Sequence, residues 1–293
     1  MNTATVKTQA KFQNILFATD FSEAAAHAIP YVKKIAQAFN ANLVALHVRP
    51  PVVTTTTPPL TWANDIEVNK SEDERKRHEL LNIFAGIRTN ALIEVGDVQA
   101  CLRAAIDTNH TDLVVIGTRG SNGLGKFLLG SVAEEIFRTV SCPVLTVGPC
   151  SHEATGDLRE ILYATDINPA SRGAAPYAIA LAKAFQSRLT LLHVAPEQDP
   201  EDLVSPVNVR PSLEQAMSEL IPADDAAQCR LGYLVKCGDP GEKILEVAHL
   251  GEADLIVLGA RPEKEIAAAH LRGAVVHKVV SQAECPVLTI RHF

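Results

Sequence analysis

The chain lacks an excess of positive charge. Its 27 lysines and arginines stand against 34 aspartates and glutamates, a formal net charge of −7. That excludes non-specific nucleic-acid binding as the main activity, because a phosphate backbone demands a basic face. It leaves room for one small anionic ligand held by a locally positive loop. No apolar run approaches the roughly 18 residues that suggest a membrane span. Met1 to Lys11 is polar and has no apolar core of the kind a secretory signal carries. The six cysteines (101, 142, 150, 229, 237 and 285) form no CxxC pair, so a reduced, cytosolic compartment is expected. His47 and His193 lie inside apolar segments with no second ligand at metal spacing, which argues against a metal centre at either.

Against these absences, hydrophobic residues make up 47% of 293 positions, enough for about two domains with substantial cores. Asn14 to Asp20 reads as a buried parallel strand ending in a carboxylate, with Ser22 as N-cap of a helix over 23–39 that Pro30 kinks or restarts. Asn42 to Val48 is a second strand. Arg49 to Leu60, rich in proline and threonine, is a loop. A charged helix is expected over 65–87, a short strand over 92–95, a helix over 98–108 and a strand over 112–117. A helix over 131–140 and a strand over 142–147 complete the first half.

The same series then recurs. Ile161 to Asp166 echoes Ile15 to Asp20 at an offset of 146, and Leu192-His193-Val194 echoes Leu46-His47-Val48. Gly238-Asp239 and Asp254 to Gly259 echo Gly96-Asp97 and Asp112 to Gly117 at 142, and Cys285 to Ile290 echoes Cys142 to Val147 at 143. Colinear matches with a slowly drifting offset mark a duplication with small loop changes, joined by a linker near 150–156. Alternating strands and helices make each half an α/β unit with a parallel sheet, helices on both faces, and a ligand crevice at the strands' carboxyl ends. Asp20, Val48 and Gly117 all stand at such ends.

The informative loop follows the fourth strand: Gly117-Thr118-Arg119-Gly120, nine residues, then Gly130-Ser131. Gly120 to Lys126 fits GxxxxGK, but Phe127 replaces the hydroxyl that a P-loop needs for Mg²⁺, and Leu128 breaks GxGxxG. A longer phosphate cradle is the third reading. Its glycines shape the turn, Ser131 and the helix start offer hydrogen-bond donors, and Arg119 and Lys126 add charge. The alternative is purely local, since Ser131-Val-Ala-Glu134 is a capping box and Gly117 and Gly120 suit a turn. Spacing alone does not choose between them.

These motifs resemble the universal stress protein family. The resemblance rests on Gly117-x-x-Gly120-x9-Gly130-Ser131, Ile15 to Asp20 followed by Phe-Ser, Leu46-His-Val48, and Cys142 to Val147, and it extends over both halves. It implies two tandem Rossmann-like domains of the adenine nucleotide alpha hydrolase type, over 11–149 and 157–293. Each would be an open five-stranded parallel sheet flanked by helices, and the pair would be joined through their last strands as a pseudo-dimer, with further homodimers and an unidentified protein partner possible for the family. It also implies ATP with Mg²⁺ in the first half. Ala18, Thr19 and Asp20 would meet the nucleoside and the backbone at Val48 the base. Gly117, Gly120, Gly130 and Ser131 would hold the phosphates, with Thr118, Arg119 and Val132 at neighbouring contact positions. No catalytic residue belongs to the pattern, so a regulatory ligand is expected ahead of slow hydrolysis or phosphotransfer, or of a ligand-free interaction module. The second half departs: Pro262 replaces the second glycine, Glu263 and Glu265 enter the spacer, and Gly273-Ala274 stands for Gly-Ser. It is expected not to bind ATP in this way.

Overall fold

The computed structural model describes residues 10, 12–51, 62–118, 136, 140–148, 155–168, 172–197, 206–260 and 270–291. The apolar runs become strands β1 (Asn14–Ala18), β2 (Asn42–Arg49), β3 (Arg88–Val95), β4 (Leu113–Gly117) and β5 (Val144–Val147) in the first half. The second half supplies β6 (Glu160–Ala164), β7 (Arg188–Ala195), β8 (Arg230–Cys237), β9 (Leu255–Ala260) and β10 (Val287–Arg291). Asp112 starts the fourth strand by accepting from the Gln13 and Asn14 amides at 2.9 and 3.0 Å. Asp254 does the same for Arg159 and Glu160 at 2.7 and 2.9 Å.

The segment 23–39 is two helices, α1 (Glu23–Ala26) and α2 (Ile29–Phe39), because Pro30 has no amide hydrogen to donate and is tolerated only in a first turn. Asn40 closes α2 in the left-handed region at φ 49°. Helix α3 (Trp62–Ile83) starts before the expected 65 and ends before the expected 87. Gly86 turns the chain at φ +86°, and β3 then starts at Arg88 rather than 92. The expectation there was too short because β3 is an edge strand with mostly exposed or half-buried positions. Its length is imposed by pairing with β2 from Asn42↔Arg88 to Arg49↔Val95. Helix α4 (Val98–Thr108) is capped by Asp97, which accepts from the Ala100 amide at 2.9 Å.

In the second half, α5 (Ala175–Phe185) parallels α2, α6 (Pro206–Ser218) parallels α3, and α8 (Pro240–Leu250) parallels α4, with a short α7 (Ala223–Ala226) before β8 and α9 (His270–Gln282) before β10.

The strands form one ten-stranded sheet in the order β3-β2-β1-β4-β5-β10-β9-β6-β7-β8. Pairing is parallel within each half and antiparallel only between β5 and β10, centred on Leu145↔Leu288. The two sheets are therefore fused through their last strands, as the resemblance implied. One face carries a single apolar core running through both halves, from Phe17, Leu43 and Phe84 to Tyr163, Leu181 and Leu191. Phe12 stands edge-on to Phe39 at 4.9 Å and to Tyr177 of the other half at 5.6 Å. The opposite face carries a separate core for each half.

Candidate nucleotide site at the carboxyl ends of β1 and β4

Strand order reverses between β1 and β4, whose connections leave for opposite faces and so open a crevice at their carboxyl ends. On the β1 side the last rung is Thr19 N–H to the Leu46 carbonyl, 2.9 Å. A tight turn follows. Thr19 Oγ1 accepts from the Phe21 amide at 3.0 Å, Asp20 Oδ1 from the Ser22 amide at 2.9 Å, and Ser22 Oγ from Ala25 at 3.2 Å, capping α1. Phe21 sits at φ 60°, a backbone state that costs a side-chain-bearing residue about 1–2 kcal/mol. Ile167 repeats it at φ 62° in the second half, so the fold holds this turn with or without a complete glycine pattern. Ala18 is half-buried beneath the turn, and the exposed Asp20 carboxylate stands at the crevice mouth.

Val48 takes its place through strand alternation. Leu46 directs its carbonyl to β1, and Arg49 accepts from Gly96 on the β3 side at 3.1 Å. Successive residues of a parallel strand turn their N–H and C=O to opposite neighbours, so Val48 faces the β1 side, beyond the end of β1. Its main-chain donor and acceptor thus border the crevice beside Thr19.

Gly117 has a packing reason to be glycine. A Cβ there would lie 2.4 Å from the Ala24 carbonyl oxygen and 2.6 Å from Ala25 Cα. Helix α1 rests directly on the end of β4, which brings its start to the crevice. Thr118 is buried, and both its amide and its hydroxyl donate to the Val147 carbonyl, at 2.8 and 3.4 Å. Its amide and its hydroxyl are thus both committed to the sheet beside the crevice. Arg119, Gly120, Gly130, Ser131 and Val132 lie outside the described residues, as does the capping box at Ser131.

One group of side chains was missed from the sequence. His47 is buried, and its Nδ1 lies 2.9 Å from the Thr19 carbonyl oxygen, while Lys76 Nζ on α3 lies 3.1 Å from its Nε2. Phe21 stands edge-on to His47 at 4.9 Å, and Lys76 Nζ is 5.7 Å from the Phe21 ring centroid. Beside them Arg49 makes a two-pronged pair with Asp73 of α3, Nε to Oδ1 at 3.0 Å and Nη2 to Oδ2 at 3.1 Å. The charge of α3 was visible in the sequence, but not which of its cations reaches back to β2.

The corresponding crevice of the second half differs in detail. Asp166 accepts from both the Asn168 amide (3.1 Å) and the Asn168 side-chain nitrogen (2.9 Å). Gly273 and Ala274 are the fourth and fifth residues of α9. Pro262, Glu263 and Glu265 are outside the described residues. Cys142 packs against the first half's own core, where burial pushes its thiol up to about 12. Among the described residues no group of three or more His, Cys, Asp or Glu could hold a metal ion, and no helix is long and apolar enough to cross a membrane.

The family model of the universal stress protein family matches residues 11–148 and again 158–291. A universal stress protein of Thermus aquaticus is 34% identical over 137 residues, which is 46% of this chain and 98% of that protein. A universal stress protein of Mycobacterium tuberculosis is 24% identical over 308 residues, with 94% of both chains covered. In three dimensions the chain superposes on a universal stress protein from Archaeoglobus fulgidus with a TM-score of 0.71 at 21% identity, covering 96% of this chain and 99% of that one. That last similarity carries the fold alone.

Proposed function

This chain belongs to the universal stress protein family, and on that premise we propose that its N-terminal half (11–149) binds ATP as a regulatory ligand while the C-terminal half (157–293) serves as its docked, non-binding partner. Asp20 accepts from ribose hydroxyls at the crevice mouth. The main chain at Val48, with Ala18 and Thr19 beneath, meets the base. Gly117, Thr118, Arg119, Gly120, Gly130, Ser131 and Val132 take the phosphates, at a strand-to-helix connection whose amide donors and dipole favour anions. Mg²⁺ arrives on the phosphates and keeps its remaining coordination to water, a mode that asks for no cage of protein carboxylates. Nucleotide occupancy is the signal, read by a protein partner in the cytosol.

The contrast between the halves carries this reading. Both keep the sheet, the strained turn and the glycine at the end of the fourth strand, so the fold does not require the rest of the pattern. Gly120 and Ser131 stand only in the first half, whereas the second has Pro262 and Ala274, with Asp166 engaged by Asn168.

Mass spectrometry of small molecules released on denaturation, with melting curves in ATP, tests it. A ligand at about a hundred times its dissociation constant stabilises the folded state by about 2.7 kcal/mol. Gly130→Asp removes the ATP-dependent rise, and Gly273→Asp leaves it in place. No released nucleotide and no ATP-dependent rise in the unaltered chain would overturn the proposal.

A further inference from the structure

We propose that Lys76, acting through His47, is a positioning residue for the turn that presents the nucleoside-binding groups. This rests on the reading of the N-terminal half as an ATP site. The Thr19 carbonyl can only accept, so His47 Nδ1, 2.9 Å away, donates to it. Nε2 then carries the lone pair, and the Lys76 ammonium at 3.1 Å donates to it. In a ring with two chemically distinct nitrogens, the partner of one nitrogen sets the state of the other. Lys76 thereby holds the imidazole in the form that grips Thr19, one residue before Asp20.

The grip matters because the turn is strained. Phe21 at φ 60° persists only where its surroundings over-determine it. The surroundings here are Thr19 Oγ1 on the Phe21 amide, the His47 ring at 4.9 Å and the Lys76 ammonium 5.7 Å from the Phe21 ring centroid. Lys76 is itself steered by Glu72, 3.5 Å away on the same helix, and its side chain is only 20% exposed.

The second half separates fold from function in this cluster. His193 makes the same contact to the Thr165 carbonyl at 3.0 Å, so the histidine belongs to the fold. Helix α6, Pro206–Ser218, contains no lysine, and Ile167 takes the place of Phe21. At these positions Phe21 and Lys76 are particular to the first half; in the second half the cation of α6 is Arg210, and Arg172 lies close enough to act on Tyr163. Ile167 forms the same turn at φ 62° without them, so what Lys76 and Phe21 fix is the placement of Thr19 and Asp20 within a turn that the fold already makes.

The test measures adenosine and ATP binding to the full chain by calorimetry, with ¹⁵N NMR of the histidine rings. Lys76→Met is expected to weaken adenosine and ATP by the same factor, about tenfold for one lost charge-assisted contact, and to shift His47 away from the Nδ1–H form. Lys76→Arg restores both. His47→Asn keeps a donor toward Thr19 but has no Nε2, and adding Lys76→Met to it produces no further loss. If Lys76→Met does not fold, Lys76→Gln takes its place with the same expectations. An unaltered chain that binds neither ligand overturns the ATP reading itself. A chain that binds both, with Lys76→Met either unaffected or impaired for ATP alone, overturns the positioning role, the latter by making Lys76 a direct phosphate contact.

Discussion

Thr146 and Thr289 hold the two halves together through matching hydrogen bonds across the β5–β10 seam. Thr146 Oγ1 donates to the Val287 carbonyl at 3.0 Å, and Thr289 Oγ1 donates to the Val144 carbonyl at 3.2 Å. Both hydroxyls are buried. The pair relates the duplicated sequences by an approximate twofold through Leu145↔Leu288, which fuses two five-stranded sheets into one.

Replacing either threonine by valine keeps the shape and removes one neutral hydrogen bond. Each change is expected to cost about 1 kcal/mol, nearly the same for both because their settings match. Chemical denaturation followed by circular dichroism and by tryptophan fluorescence checks this. One shared core predicts coincident transitions for the two signals in the parent and in both variants.

Gly117→Ala pushes a methyl group against the Ala24 and Ala25 backbone, which has no flexible end to yield. Overpacking of this kind costs about 1–3 kcal/mol. The same displacement of α1 moves the Ser22 cap and the Asp20 turn, so ATP affinity is expected to fall along with the denaturation midpoint. Equal stability of the variant and the parent would remove the packing account of this glycine.

Lys34 and Asp157 form an ion pair between the halves at 2.9 Å, and hydrogen bonding to Lys34 is the main reason the Asp157 carboxyl is held below its ordinary value. A depressed carboxyl value contributes stability above the unfolded-state value, about 3.9, and loses it as pH falls through the lower folded-state value. The pair is largely exposed, so the contribution is small. Lys34→Met should therefore melt slightly below the parent at neutral pH, with the gap closing as pH falls below the carboxylate range. A gap that is constant with pH would assign the effect to packing.

Thiol labelling separates the cysteines by burial. Cys237 is exposed, whereas the Cys142 thiol sits in a core that pushes it up to about 12. A short pulse of iodoacetamide on the folded chain at pH 8, followed by peptide mapping, is expected to modify Cys237 and leave Cys142 unmodified. Equal labelling of both would show that the core around Cys142 opens readily.

Sequence alone determined what depends on local pattern. Apolar runs ending in Asp20, Val48 and Gly117 marked the strand ends, Pro30 marked a helix break, and the drifting offset of 142 to 146 marked two copies of one unit. It also determined which copy keeps the glycines, because that is a comparison of the chain with itself. Tertiary structure decided what depends on partners distant along the chain. Polar, half-buried β3 takes its length from pairing with β2, not from its own hydrophobicity. Lys76 meets His47 across 29 residues, and no periodicity in α3 singles it out from its neighbouring cations. Gly117 looked like a turn residue, but its lack of a side chain is demanded by α1 packing against it. The fusion of two sheets into one, with a common core behind it, follows from edge strands β5 and β10 satisfying each other's backbone groups, a condition set in space and not along the sequence.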